Sequence, residues 1–197
     1  FEQTQSWNIY SYVRNNPVMM VDPNGLEAWK TTRKWTEGDL ENYGQLLNNK
    51  IKQYESNGWK YTCEDLALNT IIDYASQNGL PMTLRHANGG QVSNSSDEFN
   101  LVADFVNSSK KEMAARHVQD QGTLVSANPK GILEKARPGD LMLINIGNSG
   151  NSDRSNRARH VQLVTESGDD YVSIKQGNLD SWKWSQIQNQ WGTWALK

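Results

Sequence analysis

Between positions 36 and 81 the hydrophobic residues recur every three or four positions, a spacing that predicts two helices. The first is predicted to begin at the capping box Thr36-Glu37-Gly38-Asp39 and to end at Asn57-Gly58. The second is predicted to begin at Thr62 or Cys63 and to end at Asn78-Gly79-Leu80-Pro81. The positions expected to face the core are Leu40, Tyr43, Leu46, Leu47, Ile51 and Tyr54 in the first helix and Ala67, Leu68, Ile71, Ile72 and Ala75 in the second.

Downstream, the pattern changes from helical spacing to short apolar runs separated by turn residues. Residues 85–96 predict a loop, and Ser95-Ser96-Asp97-Glu98 predicts the start of a third helix that presents Leu101, Val102, Phe105, Val106 and Met113 to the core. Four strands are then expected: Leu141–Ile146 after the turn Pro138-Gly139-Asp140, His160–Glu166, Tyr171–Lys175 after the hairpin turn Ser167-Gly168-Asp169-Asp170, and one in the Trp-rich tail from Trp182 to Leu196. Helices followed by antiparallel strands are typical of an α+β fold.

The composition excludes several classes of function. The chain has 197 residues with 20 basic and 22 acidic side chains, so it lacks the basic excess of nucleic-acid-binding proteins, and no nucleic-acid partner is expected. Its apolar runs are too short to span a bilayer. The three histidines and the single cysteine do not have zinc-ligand spacing, so neither a metal nor another cofactor is expected.

The first 26 residues carry a distinct motif. Trp7-Asn8-Ile9-Tyr10-Ser11-Tyr12-Val13-Arg14-Asn15-Asn16-Pro17 predicts an aromatic strand that runs into a turn, and Val21-Asp22-Pro23-Asn24-Gly25-Leu26 predicts a second turn. This stretch resembles the end of the Rhs repeat-associated core, where a shell stops and a variable C-terminal toxin begins. The resemblance implies that residues 1–26 are the end of the shell, that the parent chain is cut after Leu26, and that the function lies downstream. Residues 27–35 are predicted to be a linker.

Cys63 is the first candidate for chemistry because it lies at the predicted start of a helix. A helix N-terminus offers backbone N–H groups and a positive dipole end, which favour the nucleophilic thiolate. The alternative is that Cys63 is a small buried hydrophobic residue, as most free cysteines are. Glu64 and Asp65 follow it and oppose thiolate formation if the site is exposed.

A cysteine nucleophile needs a base, and His160 is the best placed of the three histidines. It opens a predicted strand directly after the polar segment 147–159, so a sheet holds the residue while its ring faces open space. His86 and His117 are interpreted as a loop residue and a helix-terminal residue. Either Gln176 or Asn178, after the next strand, offers a carbonyl oxygen that can orient the imidazole.

The order of these residues resembles that of papain-like amidases, in particular the CHAP family and the NlpC-type cell-wall peptidases. The resemblance covers roughly Tyr61–Leu196 and implies a papain-like α+β fold with N-terminal helices packed on an antiparallel sheet. It assigns the nucleophile to Cys63, the base to His160 and the orienting position to Asn178, while Gln176 falls where many members carry an acidic residue. Residues 27–60 then form the linker and first helix of the toxin, and 61–197 form the amidase domain.

These resemblances together imply a secreted antibacterial toxin that hydrolyses amide bonds. Peptidoglycan is the expected substrate, and the periplasm of a target cell is the expected site of action. The alternative is a papain-like deamidase, transglutaminase or protease that acts on a cytosolic protein. An effector that can kill its producer also implies a cognate immunity protein, besides the Rhs shell of the parent chain.

Overall fold

The computed structural model describes residues 27–86, 88–113, 117–118, 121–126, 129–144, 160–177, 182–184 and 191–196. The Rhs-like segment 7–26, the polar segment 147–159 and Asn178 lie outside these ranges. The predictions made for them therefore stay predictions.

The two N-terminal helices have the predicted ends. Helix α1 spans Glu37–Ser56, and its capping box is complete: the backbone N–H of Asp39 donates to the Thr36 hydroxyl, and that of Thr36 donates to the Asp39 carboxylate. Helix α2 spans Cys63–Gln77, with the Thr62 hydroxyl as its cap. The predicted core positions are buried with few exceptions, the clearest being Leu46, which is 54% exposed.

Residues 27–36 contain no helix or strand, but two of their tryptophans anchor the segment to the domain. The indole N–H of Trp29 donates to the Leu80 carbonyl at 2.8 Å, and that of Trp35 donates to the Pro81 carbonyl at 2.7 Å. Both acceptors follow the C-terminus of α2. The segment predicted as a linker therefore closes one end of the helical layer.

The region after α2 differs from the prediction in two ways. The predicted loop contains an antiparallel hairpin of β1, Thr83–Arg85, and β2, Gln91–Ser93. Helix α3 spans Val102–Glu112 and has no side-chain cap, so the prediction that it starts at Ser95–Glu98 is wrong. The serines there bond within the preceding turn instead: the N–H of Glu98 donates to the Ser96 hydroxyl, and Ser93 pairs with Ser95. His117, predicted near the end of this helix, lies beyond it and is buried.

A six-stranded sheet forms the second half of the chain. The elements of this half are β3 Gly122–Ser126, α4 Pro129–Lys135, β4 Leu141–Ile144, β5 His160–Ser167, β6 Val172–Lys175, β7 Trp182–Trp184 and β8 Trp191–Leu196. The strand order in the sheet is β3-β8-β4-β5-β6-β7, with antiparallel pairing throughout. The predicted strands appear as β4, β5 and β6, and the Trp-rich tail supplies two strands rather than one. Strand β3 and the short helix α4 were not predicted.

Helices cover both faces of this sheet. Leu141, Leu143, Val161 and Leu163 pack into the same core as α1, α2 and α3. Met142, Val164, Val172 and Ile174 face the other way and pack with Ile132 and Ala136 at α4. Each fully buried aliphatic side chain stabilises such a layer by about 1.5–3 kcal/mol. The predicted α+β class is confirmed. In the part of the chain that the structure describes, no helix is long and apolar enough to cross a membrane.

Candidate active site

Cys63 is the first residue of α2, and its thiol faces both a carboxylate and backbone amides. The thiol donates to the Glu64 carboxylate at 2.9 Å. The backbone N–H groups of Val161 and Glu64 point at the sulfur from the other side. The thiol thus lies between the start of α2 and the start of β5.

These surroundings raise the pKa of Cys63 to about 11. Burial is the largest cause, because it penalises the charged thiolate, and the hydrogen bond to Glu64 stabilises the protonated form further. The N–H groups of Val161 and Glu64 act in the opposite direction but are outweighed. In this conformation Cys63 is therefore a protonated thiol, and its position at a helix start does not lower its pKa.

His160 is the first residue of β5, and Gln176 immediately follows β6. The Nε2 atom of His160 lies 2.5 Å from Oε1 of Gln176. Since this oxygen only accepts hydrogen bonds, the imidazole donates through Nε2 and keeps its lone pair on Nδ1. The structure brings the candidate Gln176 to the histidine, while Asn178 lies outside the described residues.

Gly177 connects this pair to α2. Its φ is +56°, and a Cβ atom there would lie 2.6 Å from the Tyr61 carbonyl oxygen and 3.2 Å from the backbone nitrogen of Cys63. Only glycine allows the end of β6 to approach the start of α2 this closely. The backbones of Cys63 and Gly177 are therefore in close contact.

The structure does not bring the thiol and the imidazole of the two candidates into contact. Among the described hydrogen bonds, the thiol of Cys63 pairs with Glu64 and the ring of His160 pairs with Gln176. Strand alternation explains the separation, because Val161 faces α2 and so His160 leaves the sheet on the opposite face. The backbone of His160 is nevertheless adjacent to the thiol, through the N–H of Val161.

Gln162, two residues along β5, is a part of this cluster that the sequence analysis missed. Its Nε2 group donates to Oε1 of Gln176 at 2.6 Å, so this oxygen accepts from both Gln162 and His160. The available signal was the single polar residue within the apolar run Val161-Gln162-Leu163-Val164.

A cavity of about 430 Å³ extends from this region along the end of α1. Trp59 and Tyr61 form its aromatic wall, and Lys175 and Gly177 form its other side. Lys175 is paired with Glu55 across it. A second cavity, of about 280 Å³, shares the same aromatic residues and continues toward Lys110 on α3. An extended substrate has room beside the start of α2.

In the described part of the chain, no group of histidine, cysteine, aspartate and glutamate side chains is arranged to hold a metal ion. Comparison of the chain with protein-family models, with curated proteins and with solved structures finds no match. The function therefore has to be inferred from the geometry of the site and from the sequence resemblances described above.

Proposed function

We propose that the protein is a cysteine-dependent amidohydrolase with a papain-like arrangement, in which Cys63 is the nucleophile and His160 is the general base. Gln176 orients the imidazole, and Asn178 remains a second candidate for that role. The observation that carries the proposal is the close approach of Gly177 to the start of α2, because it joins the residue after Gln176, the partner of the imidazole, to the backbone of Cys63.

The chemistry that suits these groups is acyl transfer. The Cys63 sulfur attacks an amide carbonyl carbon while Nδ1 of His160 takes the thiol proton. The carbon–nitrogen bond then breaks, and the same proton passes to the leaving amine. Water, deprotonated by His160, hydrolyses the thioester and restores the thiol. The backbone N–H of Cys63, which has no acceptor one turn earlier in α2, is suited to stabilise the oxyanion.

The raised pKa of Cys63 sets a condition on the first step. A thiol with a pKa of about 11 is almost entirely protonated at neutral pH, so the reaction does not start from a resting thiolate–imidazolium pair. The imidazole of His160, which leaves the sheet on the face opposite α2, must first swing toward the thiol, and Cys63 must rotate away from Glu64 before it transfers its proton. We propose that the substrate, lying in the cavity beside Trp59 and Tyr61, makes this rotation favourable by displacing Glu64.

Peptidoglycan is the substrate that the sequence resemblances favour. The CHAP-like and NlpC-like order of residues supports a cell-wall amidase or endopeptidase. The Rhs-like segment 7–26 supports delivery into a target cell, an immunity protein as partner and release from a parent shell. The near-neutral charge of the chain disfavours a nucleic-acid substrate. A deamidase, transglutaminase or protease that acts on a cytosolic protein is the second candidate, because it uses the same three residues.

Digestion of purified peptidoglycan tests the proposal. The wild-type chain is expected to release new amino and carboxyl termini, detected by mass spectrometry, whereas Cys63→Ala and His160→Gln lose at least 100-fold of this rate. His86→Gln is the matched control, since His86 is the partly buried histidine that follows β1, and it is expected to retain the wild-type rate.

Two results would redirect or reject the proposal. Toxicity in the cytoplasm but not in the periplasm, lost in Cys63→Ala, would move the substrate to a cytosolic protein. Full toxicity of Cys63→Ala in both compartments would eliminate cysteine catalysis altogether.

A further inference from the structure

Gln162 is a buried amide on the face of the sheet that carries the apolar side chains Met142 and Val164. Its side chain is 1% exposed and lies opposite Met142 of β4 in the strand register. Its Oε1 atom is buried and has no hydrogen-bond partner among the described residues. A buried polar atom without a partner costs about 1–3 kcal/mol, and a methionine of similar size would avoid that cost. Packing alone therefore does not account for a glutamine here.

The other end of the amide makes a specific contact. Nε2 of Gln162 donates to Oε1 of Gln176, the atom that also faces His160. A free glutamine amide can turn either its oxygen or its NH₂ group toward a neighbour. In the structure Gln162 presents its NH₂ group, so the two amides are complementary while Gln162 keeps this orientation and the oxygen of Gln176 faces it. If Gln176 turned over, its NH₂ group would face another NH₂ group.

The orientation of Gln176 decides which nitrogen of His160 carries the proton. Facing an oxygen, Nε2 must be protonated, and Nδ1 is then free to accept a proton. Facing an NH₂ group, Nε2 would have to accept, and the proton would move to Nδ1. A histidine in that second form cannot act as a base through Nδ1.

We propose that Gln162 is a positioning residue that fixes the amide of Gln176 and thereby holds His160 with its proton on Nε2. Its importance for catalysis rests on the proposed function, in which Nδ1 of His160 is the base. Its effect on the proton position does not, because that effect exists without substrate.

The proton position can be measured directly by ¹⁵N-detected nuclear magnetic resonance of the imidazole groups in the full chain. The chain has only three histidines, and the signal of His160 is assigned by its loss in His160→Gln. In the wild type, His160 is expected to be protonated on Nε2 in its neutral form. In Gln162→Met the signals are expected to shift toward a mixture of the two forms, and kcat to fall by about 10-fold or more with little change in KM.

A second substitution separates positioning from packing. Glutamate at position 176 has two equivalent oxygens, so it needs no partner to fix its orientation. In a Gln176→Glu background, Gln162→Met is therefore expected to leave His160 protonated on Nε2, as in Gln176→Glu alone. A loss of packing would instead lower the melting temperature and kcat equally in both backgrounds.

Three results would overturn the inference: protonation of wild-type His160 on Nδ1, an unchanged proton position and pH–rate profile in Gln162→Met, or an equal loss of kcat in both backgrounds. The wild-type spectrum alone can refute it, so the test survives if a variant does not fold, and Gln162→Leu offers a second apolar replacement. Protonation on Nε2 that depends on Gln162, found in a chain that cleaves no amide, would reject the proposed function and leave the positioning role intact.

Discussion

Removing the negative charge of Glu64 is expected to ease ionisation of the Cys63 thiol. The carboxylate accepts the thiol hydrogen bond at 2.9 Å and adds like-charge repulsion to the thiolate. In Glu64→Gln the repulsion disappears, although burial and a weaker acceptor remain. In Glu64→Ala the acceptor disappears as well.

The structure sets the size of the effect. A thiol with a pKa of about 11 is ionised to about one part in a thousand at pH 8. Burial is the largest cause of the raised pKa, so Glu64 accounts for only part of it. A nearby like charge typically raises a pKa by about one, which corresponds to about a tenfold change in thiolate at a given pH. We expect alkylation of Cys63 to accelerate by about three- to tenfold in Glu64→Gln, and by at least as much in Glu64→Ala.

Because Cys63 is the only cysteine in the chain, the assay has a single signal. The rate of mass gain with iodoacetamide is measured from pH 7 to 12, and its midpoint gives the pKa of the thiol. The chain unfolded in urea supplies the reference rate. Glu41→Gln is the matched control, since Glu41 lies on the exposed side of α1 and removes the same charge far from the thiol in sequence.

Two outcomes would contradict this account. A wild-type midpoint below pH 9 would mean that the N–H groups of Val161 and Glu64 outweigh burial, so that Cys63 is a resting thiolate. Equal midpoints in Glu64→Gln and the wild type would mean that Glu64 does not hold the thiol proton in solution.

Four further substitutions, one of them a control, test the fold. Gly177→Ala and Gly58→Ala both place alanine at a positive φ, which costs about 1–2 kcal/mol of stability. Only the new methyl group at position 177 also meets backbone atoms, so amide hydrolysis should fall in Gly177→Ala alone. Equal activity of the two variants would refute the close approach of Gly177 to α2. Asp39→Asn should lower the free energy of unfolding at pH 7 by about 1–2 kcal/mol, because it removes the carboxylate that accepts from Arg33 and from the Thr36 backbone N–H. Because Arg33 holds the pKa of Asp39 below its usual range, the stability due to this carboxylate is full above about pH 4 and is lost on acidification, so urea titrations should show a flatter acid limb in the variant, and an unchanged limb would refute the pairing. Burial raises the pKa of Asp140 to about 6, so its contribution to stability is most favourable below about pH 4 and declines as pH rises through 6. The change in melting temperature caused by Asp140→Asn, measured against the wild type at the same pH, should therefore be more favourable at pH 8 than at pH 4. A change that is more favourable at pH 4 would contradict this expectation.

The helices that position the nucleophile were predictable because their signals are local. Thr36 with Asp39, and Thr62 with Asp65, lie three residues apart and fix each helix start through one side chain and one N–H group. Gly58 adopts a positive φ beyond the end of α1. None of these contacts depends on the rest of the fold, so the sequence pattern alone predicts that α2 begins at Thr62 or Cys63, and the structure has Cys63 as its first residue.

The elements that were mispredicted depend on distant partners. The serines before α3 match a cap motif, yet Asn94 among them bonds to the Trp29 carbonyl at 3.0 Å, which holds the segment as a turn. Strand β3 exists because it pairs with β8 at the far end of the chain. Leu46 fits the apolar period of α1 but has no layer to cover it. In each case tertiary contacts override the local pattern.

In the site, too, the sequence indicates which residues are candidates but not which contacts they make. Chain order and residue chemistry identified Cys63, His160 and Gln176 as candidates. They did not predict that the thiol proton would go to Glu64 rather than toward His160. The carboxylate of Glu64 and the imidazole of His160 compete for the thiol proton. Which of them accepts it depends on side-chain geometry, which the spacing of residues in the sequence does not determine.

The contact between Gln176 and His160 depends on an irregularity in the pairing of β5 and β6 that the sequence pattern does not predict. Near the hairpin turn, Glu166 pairs with Ser173, and uninterrupted pairing from there would set Leu163 opposite Gln176. A bulge between Val164 and Glu166 shifts the register, so that Leu163 pairs with Lys175 and the next step sets Gln162 opposite Gln176. A shift of one residue moves a side chain to the other face of a sheet. Without the bulge, Gln176 would face α2, and neither His160 nor Gln162 would reach its oxygen.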